Sequence, residues 1–330
     1  MGKRSVLTVL ISFLLLLEAY TIAGRPSCIS DRPNCDGGTS NDSLYRAMEF
    51  FLQAGGDTIR IIPTGERFGH GELREPLGIE ADARGFVYVA DAMTGKIFRF
   101  SETGVSMEFE TPPFGSSMYP IDLVADGFFI YVLDYAGNRV LRYDYKGAYL
   151  DVLISFGQYG SVRPASLTMD PGGRLVTTDI ENHNLIVWSP LYDMEFSIGE
   201  YGWAEGLFDK PVKAAILPAD RIAVVESGNP RVQIFSTAGS YEEVLVPADE
   251  TGFHSPRSIT ADRSGNMFVA DPEGGRIVVF SPDGAYSTSI DSYGGERISP
   301  SAAVVSWKDR LYVTDLHSGS VLIYILLYSS

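Results

Sequence analysis

Prolines return along this chain with a spacing that chance does not produce. Pro76, Pro120, Pro164, Pro211, Pro256 and Pro300 are separated by 44, 44, 47, 45 and 44 residues. Fourteen or fifteen residues after each stands a carboxylate, namely Asp91, Asp134, Asp179, Glu226, Asp271 and Asp315. Nine residues after each carboxylate comes an aromatic: Phe100, Tyr143, Trp188, Phe235, Phe280 and Tyr324. Six copies are thus held in register at three landmarks. Inside a copy, short apolar runs alternate with tight-turn sequences such as Asp262-Arg-Ser-Gly265 and Ser281-Pro-Asp-Gly284, where Gly supplies positive φ. Each copy therefore reads as four short strands, a to d. A four-stranded unit of this length cannot bury both faces alone, so the copies must stack, and six in a ring make an all-β, six-bladed β-propeller.

The ends of the repeat predict how the ring closes. The sixth copy stops after a third strand, at residues 320–328, with no fourth behind it. Upstream of the first Pro, Asp57-Thr-Ile-Arg-Ile-Ile62 has the pattern of an outer strand without a blade. The last blade is expected to be built from both termini, which removes an unpaired sheet edge. The propeller would then occupy residues 57–330.

What precedes it has another character. Lys3-Arg4, an apolar run over residues 6–17 and a small-residue stretch ending at Gly24 have the layout of a secretory signal peptide, residues 1–24. The run is short for a membrane span, which needs about 20 apolar residues. Residues 25–56 read as a tether with one short amphipathic helix over residues 42–54. An exported chain is secreted or periplasmic, and in such a compartment Cys28 and Cys35 are expected to form a disulfide. A redox or metal pair is the alternative, but there is neither Cys-x-x-Cys nor a flanking His.

Charge excludes one class of function. With 42 acidic against 26 basic side chains the chain carries a formal charge of −16. A nucleic-acid binder needs clustered Lys and Arg to displace phosphate counterions, so DNA and RNA are not expected partners.

The ends of strand b, Tyr88-Val-Ala-Asp91, Tyr131-Val-Leu-Asp134, Phe268-Val-Ala-Asp271 and Tyr312-Val-Thr-Asp315, resemble those of the NHL repeat family. A basic residue five positions after the carboxylate, at Lys96, Arg139, Arg231 and Arg276, and the loop from Gly65 to Pro76 strengthen the resemblance. It covers residues 57–330 and implies the same six-bladed fold. Asn184 and Ser320 replace the basic residue in the third and sixth copies, and Glu226 replaces Asp in the fourth. The repeated carboxylates are expected to be a fold element, each accepting backbone N–H groups of a turn and pairing with its basic residue, as Asp134 with Arg139.

Loops from d to the next a and from b to c share one face, where function concentrates in such folds. All four histidines, His70, His183, His254 and His317, map there in scattered blades, and no metal site is expected from them. Lyases that resemble this fold place metal-binding His just after the Pro, where this chain has Leu77, Ile121, Ala165, Val212, Arg257 and Ser301. Related lactonases use acidic and Asn side chains around the axis. One residue further on, this chain offers Gly78, Asp122, Ser166, Lys213, Ser258 and Ala302. No cofactor is expected. Asp122 and Lys213 could form an acid/base pair across the channel, and an axial hydrolase or lyase is the alternative reading. The leading expectation is non-enzymatic binding or scaffolding on this face, through Tyr119, Asp122, Tyr159, Trp203, Phe208, Lys213, Phe253 and Arg257, with a protein, peptide or glycan as partner.

Overall fold

The computed structural model describes residues 59–114, 118–247, 252–305 and 308–328. The signal segment, the Cys28/Cys35 pair, the tether and the helix expected over 42–54 lie outside the described residues.

Every copy folds as expected into an antiparallel four-stranded sheet. The inner strands a are Pro76–Ala81, Pro120–Ala125, Pro164–Met169, Pro211–Leu217, Ser258–Ala261 and Pro300–Val305. Strands b end on the repeated carboxylates, as in Val87–Asp91 and Arg221–Glu226, and strands c follow across a short turn, as in Lys96–Phe100 and Arg231–Ser236. Each inner strand packs on those of the two flanking blades, and the last returns to the first, so the six close a ring around an axis.

Six blades have six seams, and each seam holds one apolar cluster. The periodic aromatics are among the largest buried side chains: Phe100, Tyr143, Trp188, Phe235, Phe280 and Tyr324 each stand at the fifth residue of strand c. Burying such a ring contributes on the order of 2–3 kcal/mol, which is why the period is legible as an aromatic period.

Closure follows the expected scheme with shifted bounds. The outer strand of blade 6 is Arg60–Phe68, longer than the 57–62 segment read from sequence, and it pairs antiparallel with Ser320–Leu327 from Arg60 opposite Leu327 to Phe68 opposite Val321. A two-residue hairpin, Ser292–Tyr293 with Glu296–Arg297, straps this strand. The Tyr293 hydroxyl donates to the Glu66 carbonyl, and Arg67 meets Glu296 at 2.8 Å.

One irregularity recurs around the ring. In five blades the a–b ladder skips the residue after the Pro: Pro76 faces Asp91 and Gly78 faces Ala90, with Leu77 unpaired, and Ile121, Ala165, Val212 and Ser301 are skipped likewise. Pro cannot donate to a ladder, and a bulge beside it re-aims the next side chain. In the same stretch Gly78 permits close approach: a Cβ there would stand 2.7 Å from the Asp122 Cα.

Candidate functional site

The repeated carboxylates are fully engaged in holding turns. Asp134 accepts the Tyr119 N–H at 3.0 Å and the Arg139 Nε at 2.9 Å. Glu226 accepts the Asp209 N–H, Arg231 Nε and Gln233 Nε2, each at 2.7 Å. Asp271 takes the N–H groups of His254 and Ser255 and stands 3.4 Å from Arg276. The expected pairing with a basic residue therefore forms in three of the four copies that carry one. In the first, Lys96 turns instead to Glu108 at 2.8 Å, and Asp91 is served by the N–H groups of Arg74, Glu75 and Thr94. Where the basic residue is missing, Asn182 Nδ2 bonds Asp179 and the Ser318 hydroxyl bonds Asp315. These substitutes come from the b–c turn and not from strand c, so the five-residue spacing does not reveal them.

Of the residues expected on the loop face, the structure separates two kinds. Phe208 and Phe253 are buried: Phe208 packs tilted against Phe235 at 5.1 Å in the seam of blades 3 and 4, and Phe253 lies against Phe280 at 6.1 Å between blades 4 and 5. Both are corrected from contact residues to seam staples, because ring burial outweighs anything they could offer at the surface. Tyr159 packs edge-on against Trp188 at 5.0 Å, and the Tyr119 hydroxyl donates to Glu75 at 2.9 Å. Trp203, by contrast, is 68% exposed, and Tyr201 beside it is 62% exposed.

That exposure is held in place. Trp203 Nε1 donates to Asp209 at 3.0 Å, and Arg231 donates to the carbonyls of Trp203, Ala204 and Leu207 at 2.8–3.0 Å. Gln233 adds bonds to the Gly206 N–H and the Leu207 carbonyl. Tyr201 rests edge-on against His183 at 4.7 Å, whose Nδ1 accepts the Lys210 N–H at 3.0 Å. Arg231 and Gln233 thus order the loop over residues 199–210 from beneath. Gln233 was not among the expected site residues. Its signal is present in the sequence: the equivalent positions of other copies are Phe98, Leu141, Ile186, Val278 and Leu322.

At the axis the expected pair is present. Lys213 Nζ lies 2.6 Å from Asp122 Oδ2, and the same oxygen accepts the Leu167 N–H at 2.8 Å, so blades 2, 3 and 4 converge there. A third group escaped the sequence reading. Glu80, half-buried on the inner strand of blade 1, has its carboxyl pushed up to about 7 by burial, reinforced by the charges of Asp122 and Asp82 and partly offset by the Ala81 N–H bond and Lys213. At that value it can donate or accept a proton near neutrality. Its signal is singularity: the fourth residue after the other prolines is Val124, Thr168, Ala215, Thr260 and Val304, none of them charged. Arg257 is exposed immediately before the inner strand of blade 5, in the position where other blades carry Leu77, Ile121, Ala165, Val212 and Ser301. Among the described residues, no group of three or more His, Cys, Asp or Glu is placed to hold a metal ion.

No family model matches the chain. One curated relative, the protein brain tumor of Drosophila melanogaster, is 21% identical over 136 residues, which is 39% of this chain and 13% of that protein's length. Among solved structures, a gluconolactonase from Xanthomonas campestris aligns with a TM-score of 0.63 at 15% identity, covering 83% of this chain and 96% of its own. Virginiamycin B lyase from Staphylococcus aureus aligns with a TM-score of 0.55 at 15% identity, covering 79% and 82%. A chain of a nidogen/laminin complex aligns with a TM-score of 0.58 at 18% identity, covering 73% and 96%. Enzymes and a nidogen/laminin complex share this frame, so what the likeness shows is the architecture: the chain is a six-bladed β-propeller.

Proposed function

We propose that this is an exported propeller of the NHL type that serves as a binding or scaffolding module, with the loop over residues 199–210 as its contact surface for a protein, peptide or glycan outside the cytoplasm. The observation that carries this reading is the pair Trp203 and Tyr201, exposed on a loop that is pre-ordered by Asp209, Arg231 and Gln233. An aromatic fixed before contact loses little conformational freedom on binding, which is the condition under which an exposed ring becomes an anchor. The NHL assignment is supported by the strand-b endings, and export by the basic and apolar layout of residues 1–24.

The test is capture from the extracytoplasmic fraction of the source cells, and a glycan array, with the wild type and Trp203→Ala in parallel. Binding that is lost in the variant at an unchanged melting temperature supports the reading; equal binding by both proteins sinks it. N-terminal sequencing of the mature protein checks export, with a start near residue 25 expected. A second reading, a hydrolase or lyase working at the axis, draws on Glu80 beside the Asp122–Lys213 pair. Turnover of lactones or peptidyl substrates that disappears in Glu80→Gln would favour it.

A further inference from the structure

The loop over residues 199–210 closes on itself and turns its fixed polar groups inward. The Phe208 N–H donates to the Glu200 carbonyl at 2.8 Å and the Gly202 N–H to the Phe208 carbonyl at 2.9 Å, so residues 200–208 form one tight lobe. The Trp203 indole N–H goes to Asp209, the carbonyls of Trp203, Ala204 and Leu207 are taken by Arg231, and the Gly206 N–H goes to Gln233. Tyr201 and Trp203 share one support. Tyr201 lies against His183, whose Nδ1 is 3.6 Å from Asp209 Oδ1, and the other oxygen of Asp209 holds Trp203.

The charge left open around these two rings is mainly negative. Glu200 and Glu205 are exposed within three residues of Trp203, and Glu181 is exposed two residues before His183. Three residues of chain span at most about 10 Å, close to the Debye length at 0.1 M salt, so Glu200 and Glu205 act on the space around the indole. Glu205 has a neutral partner, the Tyr241 hydroxyl, and none of the three forms an ion pair among the described residues. Against these three carboxylates stands one exposed cation of the loop, Lys210, while Arg231 beneath is spent on Glu226 and the loop carbonyls.

We propose that this loop takes a basic segment of a peptide or protein, a Lys or Arg side chain lying on Trp203 and Tyr201 and drawn there by Glu200, Glu205 and Glu181. The inference rests on the reading of the loop as the contact surface and narrows its partner. An aromatic face attracts a cation through its quadrupole, Trp most strongly, and the methylenes of a Lys or Arg stem cover ring surface at the same time. A neutral glycan gains nothing from the carboxylates, and the indole N–H and loop carbonyls that could meet its hydroxyls are already engaged. Acidic glycans and acidic peptides are repelled.

The experiment is isothermal titration calorimetry of the full chain with three probes: a capped Lys/Gly octapeptide, its Glu/Gly counterpart and cellohexaose. The basic peptide is expected to bind at least tenfold more tightly than the other two, and to weaken severalfold as salt rises from about 50 to about 300 mM. Trp203→Ala should weaken it by roughly 3- to 30-fold, the range of a cation–π contact, and Trp203→Phe should keep part of the affinity. The double variant Glu200→Gln/Glu205→Gln should weaken it by roughly 3- to 10-fold. Because the whole chain is acidic, the control is Glu66→Gln/Glu273→Gln, which removes the same charge from exposed positions in blades 6 and 5 and should leave affinity within about twofold. An acidic peptide or cellohexaose bound as tightly as the basic one, undiminished affinity in the Glu200/Glu205 variant, or an equal loss in the control would each overturn the proposal. If the basic peptide fails while Trp203→Ala still abolishes capture of a partner, the loop surface stands and its assignment to a cation falls; if Trp203→Ala changes neither, both fall.

Discussion

Two sets of carboxylates in this molecule do opposite things. The set at the ends of strands b repeats in every blade, and each member is surrounded by donors: Asp134 by a backbone N–H and a guanidinium, Glu226 by a backbone N–H, a guanidinium and an amide. The set at the axis does not repeat. Asp122 has one N–H and one ammonium, and Glu80 has the single N–H of its own neighbour, with its proton held to about 7. Saturation turns a buried carboxylate into a clamp for a turn, whereas scarcity of donors leaves its charge state open. Repetition with full satisfaction marks the frame of the ring; singularity with few donors marks the place where chemistry is available.

The contrast can be broken at four points. The largest effect is expected at the rim: Asp134→Ala strands the Tyr119 N–H and leaves Arg139 without its partner, at a cost of about 4 kcal/mol by urea denaturation. A loss under about 1 kcal/mol would show that the repeated carboxylates are not clamps. Next comes the axis, where Lys213→Met should cost about 3 kcal/mol because Asp122 keeps its charge and loses its counterion. Adding Asp122→Asn should return the double variant to within about 1 kcal/mol of the wild type, since the amide oxygen still accepts from Leu167 and no charge is left unpaired.

The third is a pH effect at Glu80. Its folded value of about 7 lies above the unfolded 4.5, so the fold favours the protonated form. The stability this confers is complete below 4.5 and is lost as pH rises through about 7. Glu80→Gln, neutral throughout, should match the wild type near pH 4 and exceed it by about 2 kcal/mol at pH 8, read from denaturation midpoints at both pH values. No pH-dependent difference between the two would remove Glu80 from the axial set. The smallest effect belongs to the loop: Trp203→Ala forfeits one indole hydrogen bond and little burial, so its stability should fall by about 1 kcal/mol or less. A larger loss would make Trp203 a structural staple like Phe208.

The frame was readable in one dimension because its causes recur every blade. The Pro at the head of strand a, the carboxylate that ends strand b and the aromatic at the fifth residue of strand c each solve a local problem six times, so spacing alone exposes them. The site was less legible. Phe208 and Trp203 are five residues apart in one loop and look alike as candidate anchors, yet one ring fills a seam and the other stands in solvent. Nothing local distinguishes them; the difference is which ring finds Phe235. Glu80 and Gln233 could have been found as departures from their columns of the repeat, but a departure says only that a position is unusual.

The sequence by itself therefore determined the number of blades, their order, the role of the repeated carboxylates and the joining of the two ends, because hydrophobic period and turn chemistry act between near neighbours. Only the tertiary structure decided that Asp122 meets Lys213 91 residues away, that Glu80 stands within reach of both charges, and that Trp203 is held outward. Those outcomes depend on which side chains reach the same height on different blades around a closed ring. That height is set by the bulge, the close approach at Gly78 and the packing of every seam together.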